Sequence, residues 1–277
     1  MTLSIITVNK NNAAGLEKTI QSVVCQTSHD YEYIIIDGAS DDESVNIIKK
    51  HANKINYWVS EPDTGIYNAM NKGIRKAQGD YCLFLNSGDW LIEPKTLENV
   101  FSEIKGKEAD IFYSDKSKSD NTLKQYPYDL SLMILVKHTI NHQNTLIKRS
   151  LFSDHGFYNE NLAISSDWEF ILFEFWKYKN IFNHIKTNIA IFDVNGIGSS
   201  ETLERTKEAL IVFKNVFNDN QLSETFFECY KLNLEFLKYK KFKKTVYYDI
   251  INNFGDTRIL NILLRIYRRF YKLINKK

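Results

Sequence analysis

At 277 residues, 43% hydrophobic and 25% charged with a net charge of +2, the chain carries enough apolar matter for a large buried core, as one large domain or two small ones. That composition excludes extended disorder, and no apolar run approaches the roughly 18 residues needed to span a bilayer, the longest being Leu132–Val136. Charge is unevenly spread: segment 231–277 is dense in Lys and Arg against only Glu235, Asp249 and Asp256, which leaves the remainder acidic. Cys25, Cys82 and Cys229 are odd in number and lack CxxC spacing, so they read as reduced thiols. The N-terminus enters an apolar run directly, without the pattern of a signal peptide, and a cytoplasmic protein is expected.

Leu3–Val8, short and rich in β-branched residues, predicts a strand, and after Asn11 and Asn12 the spacing of Ala13, Leu16, Ile20, Val23 and Val24 predicts a helix. Tyr33–Ile36 repeats the buried-strand pattern and ends at Asp37. Ser40-Asp41-Asp42-Glu43 then reads as a capping box opening a helix that runs to about Ala52. Asn56–Ser60 is a third strand, Asp63 or Thr64 can cap a helix from Ile66 to Ala77, and Tyr81–Leu85 is a fourth strand opening onto Asn86-Ser87-Gly88-Asp89. Strands alternating with helices at this spacing imply a parallel sheet with helices on both faces. Beyond Pro94 the pattern is mixed: helices near Thr96–Ile104 and Leu130–Val136, and strands near Ile111–Ser114 and Leu123–Tyr126. An aromatic-rich helix over Asp167–Tyr178, a strand near Ile189–Phe192, a Gly/Ser loop at Asn195–Ser200 and helices from Glu201 complete the reading.

In such sheets ligands bind beyond the carboxyl ends of the strands, and there the sequence places Thr7 and Asn9, Asp37, Glu61 and Asp63, and Asn86 and Asp89. Asp89 is either a hard oxygen ligand for Mg²⁺ or Mn²⁺ shared with substrate phosphates, or the residue of a tight turn after Gly88. Asp37 can accept hydrogen bonds from a base or ribose with Asp63 and Lys72 flanking it, although an Asp after a strand also serves as a cap or Asx-turn. Ser165-Ser166-Asp167-Trp168-Glu169 sets a carboxylate beside an indole, so that Asp167 can take a hydroxyl proton while the ring stacks on a sugar. The same residues also suit a helix start with a serine cap, acids favoured by the helix dipole, and a buried Trp168.

Five segments carry a further signal: LSIITVNKN, YIIIDGASDDES, SEPDTGIYNAMNKGIRKAQGDYCLFLNSGDWL, NHQNTLIKRSLF and SSDWEF. Over roughly residues 2–200 they resemble the family 2 glycosyltransferases of the GT-A fold, especially bacterial polysaccharide, lipopolysaccharide and colanic-acid-type sugar transferases. The resemblance implies an α/β, Rossmann-like and mostly parallel central sheet. It also implies a nucleotide-sugar half at 1–90, an acceptor half at 91–200 and a helical extension at 201–277. By the same resemblance Thr7, Asn9, Asp37 and Asp63 line the nucleoside pocket, Lys72 lies near the donor, and Asp89 holds Mn²⁺ or Mg²⁺. Asp167 falls at the position of the catalytic base, Trp168 and Glu169 on the acceptor side. His142 and Gln143 match a recurring pair that serves the acceptor or diphosphate side or only supports the fold. The acidic metal motif departs from the usual form: Asn86-Ser87-Gly88-Asp89 has a single carboxylate, so Asn86 and Ser87 fall to the donor sugar or ribose. The loop Asp193–Ser200, with the amides of Gly196 and Gly198, is a candidate for closing over phosphate.

The expected activity is inverting transfer of a hexosyl or N-acetylhexosaminyl group from a nucleotide-diphosphate donor, UDP first, to a glycan or lipid-linked glycan acceptor, with no nucleic-acid partner. A non-catalytic nucleotide-sugar or carbohydrate-binding protein is the alternative, weighed because of the single carboxylate. An NAD-linked oxidoreductase is disfavoured, since the first strand leads into Asn9-Lys10-Asn11-Asn12 with no G-x-G-x-x-G. A glycoside hydrolase leaves the nucleotide-type pocket unexplained. In the tail, Ile259, Ile262, Leu263, Ile266, Phe270 and Leu273 recur at helical spacing among basic residues, which suits either a membrane surface or packing on the domain or a second copy.

Overall fold

The computed structural model describes residues 2–120, 123–137, 139–193, 203–217, 223–228 and 230–231. The chain divides into two compact units, Met1–Phe226 and Phe227–Lys277. Residues 194–200 of the candidate phosphate loop and the segment expected to form a basic tail helix lie outside the described residues.

The first half folds as β1 (Leu3–Asn9), α1 (Ala13–Val24), β2 (Tyr31–Asp37), α2 (Ser44–Lys50), β3 (Tyr57–Ser60), α3 (Ile66–Lys76) and β4 (Tyr81–Phe84). There follow β5 (Trp90–Leu91), α4 (Thr96–Ile104), β6 (Ile111–Tyr113), β7 (Lys116–Lys118), β8 (Leu123–Lys124), α5 (Leu132–Lys137), β9 (Thr145–Lys148), α6 (Ser150–His155), α7 (Ser166–Trp176), β10 (Phe182–His184), β11 (Ala190–Phe192) and α8 (Leu203–Phe217). The main sheet has seven strands in the order β10-β6-β9-β4-β1-β2-β3. All pairs are parallel except those of β9, which runs antiparallel to both β4 and β6. A smaller sheet orders β5-β11-β7-β8. The expected mostly parallel, helix-flanked sheet is present, and α8 begins the expected helical extension.

Every residue of β1 is buried, which a strand needs when both its faces are covered. Successive side chains point to opposite faces, and the two faces take different helices. Leu3, Ile5, Tyr33 and Ile35 join Leu16, Ile20 and Val23 of α1 in one core. On the other face α3 comes so close that a Cβ on Gly73 would lie 2.4 Å from Ile6 Cγ2. The β1–β2 register runs from Leu3 opposite Tyr31 to Asn9 opposite Asp37, and Asp37 in turn lies opposite Ser60. Three polar residues are thereby brought abreast on one rim by backbone pairing alone.

The capping box does not form. Ser40 turns its hydroxyl to Asp37 Oδ1 at 2.6 Å, Glu43 makes no capping bond, and Asp42 instead accepts from the N–H groups of Ser44 (3.0 Å) and Ala13 (2.9 Å). A buried carboxylate has the stronger claim on a hydroxyl than an exposed helix end that water can satisfy. For α3 the anticipated Asp63 does take part: it accepts from Gly65 N at 3.1 Å, with Gly65 at φ 149° in the N-cap position. Among the described residues no helix is long and apolar enough to cross a membrane.

The approach of the α3–β4 turn to β1 is tight enough to test. Gly79 donates to Ser4 Oγ (2.9 Å) and Glu32 Oε1 (3.0 Å), and a Cβ there would lie 2.7 Å from the Ser4 backbone nitrogen. Backbone cannot yield as a flexible side chain does, so Gly79→Ala is expected to lower unfolding stability by roughly 1–3 kcal/mol in urea titration, without a change in m.

Candidate active site

At the ends of β1, β2 and β3 the organising group is Asp37, fully buried. Its Oδ1 accepts from Asn9 Nδ2 (2.7 Å) and Ser40 Oγ (2.6 Å), its Oδ2 from Ser40 N (2.9 Å) and Ser60 Oγ (2.6 Å). Burial raises its pKa, but the bonds from Ser40, Ser60 and Asn9 together outweigh burial and hold the carboxyl below its ordinary value. Asn9 Oδ1 is buried with no hydrogen-bond partner, an unspent acceptor beside that carboxylate. Asp63 lies over Gly38 so closely that a Cβ at Gly38 would be 2.3 Å from Asp63 Oδ2. Lys72 Nζ reaches Glu61 Oε1 and the Pro62 carbonyl, both at 2.8 Å, and so ties down the segment that carries Asp63. Thr7 departs from expectation. It is buried, its hydroxyl donates to the Leu85 carbonyl (2.7 Å) and meets Tyr33 OH (3.1 Å), and it serves the sheet beneath the rim instead of lining a pocket.

The end of β4 forms the second cluster. Asn12 Nδ2 donates to the Ser87 carbonyl at 3.0 Å and ties the β1–α1 loop to this segment. Gly88, at φ 104°, donates to Thr19 Oγ1, which itself donates to the Asp89 carbonyl at 2.7 Å. This turn carries Asp89 inward to 4% exposure, where Oδ2 accepts from Gln143 Nε2 (2.8 Å) and Oδ1 from Asp193 N (2.9 Å). Burial pushes its pKa up to about 6, only partly offset by the Asp193 N–H and the Gln143 amide. Asp193 also brings its own carboxylate near: a Cβ on Gly88 would lie 3.3 Å from Asp193 Oδ2. The motif is short of a carboxylate in sequence, and a second one arrives in space from the end of β11. Among the described residues no group of three or more His, Cys, Asp or Glu is arranged around a common point.

The third cluster contains Asp167, in the first turn of α7 with its side chain 15% exposed. Oδ1 accepts from Tyr67 OH and from Trp168 N, both at 2.9 Å, and Oδ2 lies 3.1 Å from His142 Nδ1. On its other side His142 Nε2 lies 3.1 Å from Asn86 Nδ2. An unbroken polar chain thus runs from the end of β4 to the start of α7. Burial raises the Asp167 pKa, and the bonds from His142 and Tyr67 together with the Arg205 charge act against it, so the carboxyl is held below its ordinary value. The loop leading into α7 is fixed from two sides. Asn71 and Asn68 of α3 hold the Glu160 carboxylate at 2.8 Å each, and Glu208 of α8 accepts from Ala163 N and Ile164 N.

Trp168 and Glu169 are both buried. Trp168 is 2% exposed, donates its indole N–H to the Leu135 carbonyl (2.6 Å) and sets its ring edge-on to Phe213 at 5.2 Å. Glu169 is 5% exposed and is held by Asn215 of α8, with burial raising its pKa. Each helical residue advances by about 100°, so side chains one and two beyond Asp167 turn into the α5 and α8 packing. Tyr67 was not singled out in the sequence. A tyrosine opening an amphipathic helix looks like core, and only the meeting with Asp167, 100 positions on, reveals its use.

The description Glycosyl transferase family 2 matches residues 4–164. A glycosyltransferase of Mycobacterium tuberculosis, itself uncharacterised, is 33% identical over 204 residues, covering 72% of this chain and 77% of its own. The neighbour TarS of S. aureus, solved in complex with UDP-GlcNAc, superposes with a TM-score of 0.65 at 15% identity over 84% of this chain and 72% of that one. The mannosyltransferase of Pyrobaculum calidifontis, solved with GDP-Man and Mn²⁺, gives 0.62 at 15% identity over 81% and 69%. The strand order, the polar rim and these matches converge on one conclusion: the chain belongs to glycosyl transferase family 2 and is a glycosyltransferase of the GT-A fold.

Proposed function

We propose that this protein transfers a sugar, with inversion, from a nucleotide-diphosphate donor to a hydroxyl of a glycan or lipid-linked glycan acceptor in bacterial surface polysaccharide synthesis. The observation that carries this reading is the Asp167 carboxylate, partly open to solvent and joined through His142 to Asn86 at the end of β4. In this reading Asp167 takes the acceptor's proton as the hydroxyl oxygen bonds to the anomeric carbon and the nucleotide diphosphate departs from the opposite face. Asn9, Asp37 and Asp63 serve the nucleoside, with the unspent Asn9 Oδ1 suited to an N–H or O–H donor. Asn86 and Ser87 serve the donor sugar or ribose. UDP is the preferred nucleotide and GDP the second, in keeping with the ligands held by the two structural neighbours.

The oxygen donors of Asp89 and Asp193 fit a hard divalent cation that takes its other ligands from phosphate and water. Mn²⁺ or Mg²⁺ held there would stabilise the charge developing on the departing diphosphate. We place the protein at the cytoplasmic face of the membrane, with segment 256–277 as a peripheral contact. Liposome flotation of chains with and without that segment tests this, and equal recovery rejects it.

Asp167→Asn is expected to cut nucleotide release about 10²- to 10⁴-fold while leaving donor affinity intact by calorimetry; retained turnover removes Asp167 as base. Titration of UDP, GDP and dTDP sugars with Mn²⁺ identifies the nucleotide, and tight binding with no release at any acceptor favours a binding module. Because the Asp89 carboxyl sits at about 6, a cation must displace a proton below that pH. Mn²⁺ affinity is therefore expected to fall about tenfold per pH unit below 6, to level off above it, and to be lost in Asp89→Asn.

A further inference from the structure

His142 has two polar neighbours, and together they specify its protonation. The ionised Asp167 carboxylate only accepts, so the His142 Nδ1 that lies 3.1 Å from Oδ2 must carry the hydrogen. Asn86 presents Nδ2, which only donates, at 3.1 Å from Nε2, so that nitrogen must be bare. Both contacts are made together only by the neutral ring protonated on Nδ1. The ring is confined, with its side chain 16% exposed. The other face of the Asn86 amide matters as well, because Asn86 Oδ1 is buried without a partner and is an acceptor still unspent at the end of β4.

We propose that His142 is a positioning residue that clamps one oxygen of Asp167 while Tyr67 clamps the other, and that Asn86 sets the tautomer on which this clamp depends. A residue on the donor side of the sheet thereby fixes the orientation of the group on the acceptor side, with the imidazole as a rigid link. The ring keeps its proton throughout: it orients Asp167 and does not receive the acceptor's hydrogen. The inference rests on Asp167 being the base and adds how that base is held.

The direct measurement is the ring itself. In uniformly ¹⁵N-labelled protein at neutral pH, a long-range ¹H–¹⁵N correlation spectrum, assigned by the signal lost in His142→Gln, is expected to show a protonated Nδ1 and a bare Nε2. A ring protonated on Nε2, alone or together with Nδ1, overturns the proposal. Asn86→Asp places an acceptor opposite Nε2 and is expected to add a proton there; an unchanged ring overturns the role given to Asn86.

Kinetics provide the second arm. The Asn amide nitrogen reaches the position of Nδ1 and the Gln amide that of Nε2. His142→Gln is therefore expected to lower kcat about 10- to 100-fold, the size of one hydrogen bond to a charged group, with donor KM unchanged, and His142→Asn to recover most of that loss. Equal activity of the two variants, or a loss confined to donor KM, overturns the clamp. The two readings fail separately. Retained turnover in Asp167→Asn sinks the base assignment whatever the spectrum shows, whereas an inactive Asp167→Asn beside a wild-type ring protonated on Nε2 sinks this inference alone.

Discussion

A carboxylate taken out of water must be given donors or a cation, and the rim of this sheet is organised by how three buried carboxylates meet that demand. Asp37 is supplied in full by Asn9, Ser40 and Ser60, and its charge is settled within the fold. Asp167 is supplied by Tyr67, His142 and the Trp168 amide, and it keeps its charge at a partly open edge. Asp89 receives only the Gln143 amide and the Asp193 N–H while Asp193 adds a like charge, and it is the one whose pKa rises. In two the bonds outweigh burial and in one they do not. That difference gives one residue type three environments: a carboxylate saturated by donors, one held at a partly open edge, and one whose pKa burial raises.

These donors come from far along the chain, so site geometry is a consequence of packing. Period-two alternation in β1 and β2 sends one face to α1 and the other to α3. Gly73 lets α3 lie close, which brings Tyr67 at its start to Asp167 and sets Asn68 and Asn71 against the loop at Glu160. Helix α8 closes the arrangement through Glu208 and through Asn215 on Glu169. A change in the depth of α3 would therefore disturb the base without touching any residue of the rim.

Where the sequence was legible, the signal was local. The strands β1 to β4 and the helices α1, α3 and α4 follow from short-range periodicity, and the rim follows from which polar residues end the strands. Strands β9 and β10 escaped because three or four residues carry too little pattern, and β9 takes its place by pairing antiparallel between two parallel strands. Asp193 belongs with Asp89 across a separation of 104 positions that no spacing encodes. Trp168 and Glu169 were read with Asp167 because they are adjacent in sequence, yet the turn of a helix sends adjacent residues to different surroundings. Ser40 was read as a cap because its neighbours fit the motif, but the buried Asp37 outbid the helix end.

Two oddities of the sequence, the asparagine where the metal motif would carry an acid and the His-Gln pair, account for each other in the structure. An acid at position 86 would face His142 Nε2 at about the distance where Asn86 Nδ2 now lies, 3.1 Å, and would draw a second proton onto the ring. The resulting imidazolium would bond Asp167 more strongly and hold it as half of an ion pair, a poorer base. In the arrangement proposed above the amide keeps the ring neutral and leaves Asp167 outside an ion pair. Gln143, the other half of the pair, donates to Asp89, and the Asp193 carboxylate approaches Gly88 from the end of β11. The short turn His142–Asn144 thus holds Asp167 with one residue and Asp89 with the next. An adjacent pair can reach both only because successive side chains in so tight a turn diverge.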